Sequence, residues 1–453
     1  MTTQHMMREA SIPRLLLQMS LPVILVMLVN ALYNMADVFF MGRTGETMAV
    51  AAIALCGPVF SVFSAFNTLL GFGACTAASM ALGRGEYRRV RQFTSFCLYS
   101  SLLVGSLSMA AVWIAMKPML SLLGADEVTA PYAAAYLRVF ALSAPFMVSA
   151  GSLGNTLRAD GDSKSALVGT MSGTVINILL DPLFISVLHR GIVGAAAATV
   201  IGNIVSFCVM LSVARKKETF SVSLRDFSLR KEISLTVLSY GLPMAAGTLL
   251  MSFSSTFANR LLVLYGNEAV AAQGVAGKAG MLIAMLVMGV CMGVQPAVSY
   301  AYGSGDRRRL RQVVLGTGLS AVIIGTVLGL AFLIFRDRFV TAFLDNDAVI
   351  IYGRRMVLGS IVSAPFYGVY QMCAVYLQGT GKVSYATFTA LMQKGIVYLP
   401  VLFLLHRFFG LTGLIFAPAV TDLIATAVAL ALCLNWASQL RQTPAANPLP
   451  RSA

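Results

Sequence analysis

The feature that most constrains this chain is a succession of apolar runs, each long enough to cross a bilayer. Twelve can be counted, at 15–41, 49–82, 93–115, 129–155, 164–188, 192–214, 232–264, 268–302, 312–335, 348–377, 384–405 and 411–436. Hydrocarbon offers no partner to a peptide N–H or C=O, so each run must satisfy its backbone internally, as a helix. The chain is 58% hydrophobic and 11% charged. That leaves too little charge for the surface of a soluble protein of this length. The expected fold is an all-α polytopic membrane protein with twelve transmembrane helices. Prolines 22, 58, 145, 182, 243, 296, 365, 400 and 418 lie within or beside the runs and are expected to bend several of them.

The net charge of +15 does not mark a nucleic-acid binder, because the basic residues occupy short connections between spans. Arg84, Arg88, Arg89 and Arg91 follow the second run. Arg215, Lys216, Lys217, Arg225, Arg230 and Lys231 follow the sixth, and Arg307, Arg308, Arg309 and Arg311 the eighth. Arg8, Arg14 and Arg441 share that side. Positive residues stay inside, so both termini are expected to be cytoplasmic, in a multi-pass protein of the cytoplasmic (inner) membrane. The segment before Arg14 has no cleavage pattern, and the first run is too long for a signal peptide, so it reads as a retained span.

The chain repeats itself. Ala81-Leu-Gly-Arg-Gly-Glu-Tyr-Arg-Arg-Val-Arg-Gln92 returns as Ala301-Tyr-Gly-Ser-Gly-Asp-Arg-Arg-Arg-Leu-Arg-Gln312, and Leu157–Ala166 returns weakly at Leu377–Ala386, both 220 residues on. Leu21-Pro22 and Gly45 return as Leu242-Pro243 and Gly266, 221 residues on. Matches at nearly one offset indicate a duplicated six-span unit. The offset carries the first span onto the seventh, so this is a parallel repeat, related by an axis along the membrane normal. The expected division is an N-terminal lobe at 1–214, a cytoplasmic connection at 215–231, a C-terminal lobe at 232–436 and a disordered cytoplasmic tail at 437–453.

Within the first run Asn30, Tyr33, Asn34 and Asp37 recur at i, i+3, i+4 and i+7 and share one helical face. A carboxylate in hydrocarbon costs about 2.5 kcal/mol or more, so Asp37 is expected to face a cavity. The fifth run places Thr174, Asn177 and Asp181 on one face, with Pro182 freeing a backbone carbonyl nearby. The sixth adds Thr199 and Asn203 one turn apart. Carboxylate, amide and hydroxyl oxygens are hard ligands that suit sodium or a proton. At the repeat offset Asp37 falls on Ala258 and Asp181 near Leu399, so the second half lacks this set. Asp422 stands in the twelfth run without an aligned acidic partner. Its role is left open, as are those of Arg260, Lys278 and Lys394, for which snorkelling to an interface is the plainer reading.

Enzyme signals are absent. There is no GxxxxGK[ST] for ATP, no HExxH, and His5, His189 and His406 are terminal or in loops. The seven cysteines are scattered singly through apolar runs and read as small hydrophobes. The 24 methionines read as core filling. An ion gradient is the remaining energy source, and no cofactor is expected.

Taken together, Pro22, Asn34-Met-Ala-Asp37, the glycine-basic loops at Gly83 and Gly303, Leu157-Arg-Ala-Asp-Gly-Asp162 and Asn177-Ile-Leu-Leu-Asp-Pro182 with Gly194 and Thr199 resemble the MATE (multidrug and toxic compound extrusion) family. The resemblance runs from about Arg14 to Trp436 and is most like the DinF-type branch, whose acids lie in the N-terminal lobe. It departs from the NorM-type branch: Ser254 and Ser255, then Tyr370 and Gln371, stand where that branch carries second-half acids. The resemblance implies two lobes around a V-shaped cavity, a proton or sodium ion exchanged for organic, often cationic, drugs, and no enzyme activity. It implies a cation site, open to sodium, at Asp37, Asn177, Asp181 and Thr199, with Asn30, Tyr33, Asn34, Thr174 and Asn203 as supporting polar residues and Pro22 as a bend. The expected partners are small-molecule drugs, the coupling cation and the lipid bilayer, with no nucleic acid, and the chain is expected to act as a monomer. A flippase for lipid-linked or polysaccharide substrates, from the same superfamily, is the alternative.

Overall fold

The structure is a computed structural model and describes residues 3–43, 47–341 and 347–442. Eleven stretches among these residues are helical, long and apolar enough to cross a membrane. In chain order the membrane helices are α1 (Ile12–Arg43), α2 (Gly57–Gly83), α3 (Tyr87–Ile114), α4 (Thr129–Asp160, with a 3-10 turn at Ala141–Ser143), α5 (Ser163–Pro182) and α6 (Gly191–Arg215). Then follow α7 (Lys231–Val263), α8 (Asn267–Gly303), α9 (Arg307–Ile334), α10 (Asp347–Gly379), α11 (Val383–Leu391) and α12 (Tyr398–Gln442). The eleventh stretch runs over 60 residues, Val383–Gln442, too long for one crossing. It turns at Gly410, whose φ of 56° and ψ of −132° leave the helical region, so 398–409 completes the eleventh span and 411–442 forms the twelfth. The fold is thus twelve transmembrane helices in two six-helix lobes.

Two details differ from the sequence expectation. The second run is broken: a short helix at Thr47–Leu55 ends before α2, because Gly57-Pro58 opens a new helix with the ring at a first-turn position that needs no N–H. The last helix continues past Trp436 to Gln442, held where the Trp436 indole donates to Thr380 Oγ1 at 3.0 Å and Lys382 lies 4.4 Å from the indole ring centre.

Duplication is visible in the backbone. Gly85 and Gly305 sit at φ 75° and 74°, and Gly161 and Gly381 at 89° and 71°, each pair one repeat apart. A left-handed residue is needed to turn sharply between two helices, and glycine adopts it without a Cβ penalty.

The chain divides into two compact units, one made of Leu25–Ala245 with Met1–Gln4, the other of His5–Ile24 with Ala246–Ala453. The boundaries therefore fall inside α1 and α7. In the first unit the start of α7 lies backbone to backbone on α2: a Cβ at Gly73 would stand 1.9 Å from the Val237 carbonyl oxygen, and one at Gly241 would stand 1.7 Å from that of Leu69. In the second unit the start of α1 lies on α8, where Ser20 Oγ donates to the Val290 carbonyl at 3.2 Å and Gly293 closes on Ser20.

The connection after α6 is packed along α3. Tyr99 donates to the Val222 carbonyl at 2.7 Å and Ser95 to that of Ser223 at 2.8 Å, while Phe227 stacks on Phe96. At its root Lys217 Nζ meets Asp160 and Asp162, each at 2.8 Å, tying the end of α6 to the turn between α4 and α5. Asp162 also caps α5 by accepting from the Ser165 N–H at 3.0 Å. In the second unit Lys382 occupies the place of Asp162, and its contact with Trp436 closes the same seam.

Partial burial pushes the Asp162 carboxyl up, but the Lys217 ammonium and the Ser165 hydroxyl and amide together hold it below its ordinary value of 3.8. A carboxyl lowered by folding stabilises the folded state above about pH 4, and that contribution is lost as pH falls through the folded value. Lys217→Met should leave two mostly buried carboxylates without their cation and cost about 1–3 kcal/mol. The check is the melting temperature of purified protein in micelles at neutral pH, where an unchanged midpoint would contradict the seam's role.

Candidate functional site

The polar residues of α5 and α6 meet because two glycines allow the helices to touch. A Cβ on Gly173 would stand 2.4 Å from the Gly202 carbonyl oxygen, and one on Gly202 would stand 2.7 Å from that of Gly173 and 2.9 Å from Asn177 Cβ. Any larger residue would separate the helices here. At this crossing Asn177 Nδ2 donates to Thr199 Oγ1 at 3.4 Å, Thr199 Oγ1 donates to the Ala195 carbonyl at 3.1 Å, and Asn203 Nδ2 donates to the Thr199 carbonyl at 3.0 Å. Three expected site residues thus form one hydrogen-bonded line. Thr174 lies half-buried one turn before Asn177 on the same helix.

Asp181 stands one turn beyond Asn177 and is fully buried, at 0% exposure. Pro182 follows, and the chain then widens into a π-turn at Leu183–Val187. Proline removes one backbone donor and the wider turn re-registers the rest, so carbonyl oxygens become available close to the acid. Asn177 Oδ1 is buried with no donor reaching it among the described residues. A buried acceptor oxygen one turn from a buried carboxylate, with a hydroxyl across the crossing, is a donor set that suits a small hard cation or a proton.

The helix that carries Asp37 is in place as α1, but the side chains of Tyr33, Asn34 and Asp37 lie outside the described residues. Asn30 is exposed on α1, and Pro22 sits inside that helix without ending it. Asp37, Asn177, Asp181 and Thr199 all belong to the first unit.

The second unit holds a polar centre of its own. Asp422 on α12 is 8% exposed and accepts from Ser363 Oγ on α10 and from Gln393 Nε2 at 2.8 Å. Gln393 and Lys394 lie on a π-turn, Met392–Ile396, which interrupts the eleventh span. Ser254 on α7 donates to the Lys394 carbonyl, and Tyr370 donates to that of Thr389 at 3.1 Å. Lys394 does not snorkel: its ammonium lies 5.8 Å from the centre of the Tyr367 ring. Asp422 was legible as an intramembrane acid. Its partners were not, because a serine and a glutamine on two other spans carry no spacing signal.

These features define a class: a polytopic membrane protein of two duplicated six-helix units, each with a buried polar centre. The MatE family model matches residues 22–183 and again 243–404, beginning at Pro22 and at Pro243. The chain belongs to this family, the MATE transporters, and is not an enzyme. It is similar to the multidrug export protein MepA of Staphylococcus haemolyticus, 29% identical over 433 residues and covering 95% of each chain. It is likewise similar to MepA of Staphylococcus saprophyticus, 28% identical over 423 residues and covering 93% of each. Among solved structures it matches a MATE transporter in complex with MaL6, with a TM-score of 0.92 and 23% identity over 98% of this chain and 100% of that one.

Gly202→Ala should force α5 and α6 apart, lengthen the Asn177–Thr199 contact and destabilise the protein by about 1–3 kcal/mol. Thermal unfolding and ion-driven transport measured side by side check this. Wild-type values for both would show that the crossing does not position the site.

Proposed function

We propose that this protein exports organic, often cationic, drugs across the cytoplasmic membrane by alternating access, in exchange for protons or sodium ions. Membership of the MatE family and similarity to relatives named multidrug export proteins support export over the flippase alternative. The observation that carries the coupling site is the buried Asp181 beside the Asn177–Thr199 pair on α5 and α6. Asp37 completes the site from α1, with Asn30, Tyr33, Asn34, Thr174 and Asn203 in support and Pro22 giving α1 its freedom to bend. On this reading both termini are cytoplasmic, which the bias of basic connections toward that side supports, and the chain works as a monomer.

The chemistry follows from two carboxyl groups in a poorly solvated place. When both are ionised they repel, and a cation between them offsets the repulsion. When they are protonated, one can donate a hydrogen bond to the other and draw α1 toward α5. An ion that stabilises one state of the bundle and a drug that stabilises another compete through a shared equilibrium. Each then weakens the other's binding by the same factor.

Asp37→Asn and Asp181→Asn should each abolish drug efflux while leaving expression near normal, because an amide keeps the shape and hydrogen-bonding capacity of the carboxyl group it replaces and removes only its charge. A double-mutant cycle on ion affinity should show coupling of about 0.5–3 kcal/mol. Drug resistance retained in cells carrying either variant would end the assignment, and strictly additive effects would place the two acids in separate sites.

A further inference from the structure

The polar centre of the second unit is not simply an ion pair. Asp422 already has two donors, the Ser363 hydroxyl and the Gln393 amide N–H, and both its oxygens are engaged. Among the described residues Lys394 makes no ion pair within 4 Å, and no acceptor oxygen holds its ammonium. What it has is the face of Tyr367 and the field of Asp422. Lys394 is also deep. It stands roughly 17 Å along the span from Val383 by the helical rise, near the middle of a core about 30 Å thick. An ammonium with unfilled donors at that depth is costly unless an oxygen is supplied to it.

The neighbouring residue completes the pattern. A carboxylate accepts only donors, so Gln393 must turn its NH2 to Asp422 and its carbonyl oxygen away. That oxygen, Oε1, is buried and takes no hydrogen bond among the described residues. The π-turn at Met392–Ile396 thus presents a buried acceptor and a half-buried ammonium from adjacent positions. Turns of this kind recur at functional sites.

We infer that Lys394 and Gln393 form a ligand subsite in the second unit, which receives the acidic group of zwitterionic substrates: the carboxylate on Lys394, a neighbouring N–H or O–H on Gln393 Oε1. The inference rests on the drug-export reading above and sharpens its substrate class. Asp422 sets the limit. Its charge lies close enough to oppose a doubly charged anion such as phosphate, whereas a single carboxylate next to a donor is matched by one ammonium and one carbonyl oxygen.

A matched pair of dyes tests it. Rhodamine 110 carries a free carboxylate, and rhodamine 123 is its methyl ester. Both are titrated by fluorescence anisotropy against purified wild type, Lys394→Met, Lys394→Gln, Lys394→Arg and Asp422→Asn in nanodiscs. The readout is the ratio of acid affinity to ester affinity. Lys394→Met and Lys394→Gln should lower it about tenfold or more, the loss of one charge-assisted hydrogen bond, and Lys394→Arg should restore most of it. Asp422→Asn should raise it by removing an opposing charge. An unchanged ratio in whichever neutral Lys394 variant folds overturns the inference. So does a lowered ratio in Asp422→Asn, which would show that Lys394 serves Asp422. If wild type binds the ester and not the acid, the subsite is wrong and the export reading stands. If wild type binds neither dye, the export reading fails and the subsite with it.

Discussion

A fully buried carboxylate inside a membrane bundle is the constraint on which the first unit depends. Asp181 has no access to water, and a charged group so placed is tolerated only where polar atoms are held around it. The protein provides them through backbone geometry. Gly173 and Gly202 let α5 and α6 approach until Asn177 reaches Thr199, and Pro182 with the following π-turn loosens the helix just beyond the acid. The glycines, the proline and the amide are parts of one arrangement, and none of them reads as functional alone.

The two halves of the chain meet the same demands by different chemistry. Both turn at left-handed glycines after their second and fourth helices. Both tie the turn between the fourth and fifth helices to the end of the sixth. The first half uses Lys217 with two aspartates, and the second uses Lys382 on Trp436. Both carry a π-turn near their fifth helix, but at different repeat positions: Leu183–Val187 follows the end of α5, whereas Met392–Ile396 lies inside the eleventh span. In the first half that turn follows an acid on the same helix. In the second the turn carries an amide and an ammonium, and the buried acid stands on α12. The left-handed glycine turns kept their repeat positions while the polar side chains differ, which is what strict constraints on glycine turns, and weak constraints on polar partners, would produce.

Much of the fold was legible because hydrocarbon permits so few structures. Long apolar runs can only be helices, and the recurrence of Ala81–Gln92 at Ala301–Gln312 exposed the duplication directly. The grouping of Thr174, Asn177 and Asp181 on α5 and of Thr199 and Asn203 on α6 was legible too, because residues on one helical face must stay on one side. The hidden parts depend on which helices touch. Nothing in the spacing of Ser363, Gln393 and Asp422 says that α10, the π-turn and α12 bring them together. Nor does composition reveal that the first halves of α1 and α7 pack in the unit opposite to the one their sequence position suggests, since that is decided by close backbone contacts such as Gly73 on Val237. The Gly57-Pro58 break was in the sequence, but an uninterrupted apolar run masked it.

The central claim is that transport of a drug is driven by an ion bound at acids of the first unit. It is tested most directly in proteoliposomes holding purified wild-type protein and a cationic dye, with a proton gradient or a sodium gradient imposed alone. The account predicts dye movement against its own gradient under one of the two, with opposite movement of that ion, and none of either in Asp181→Asn. Dye movement that is indifferent to both gradients, or that persists unchanged in Asp181→Asn, would contradict it.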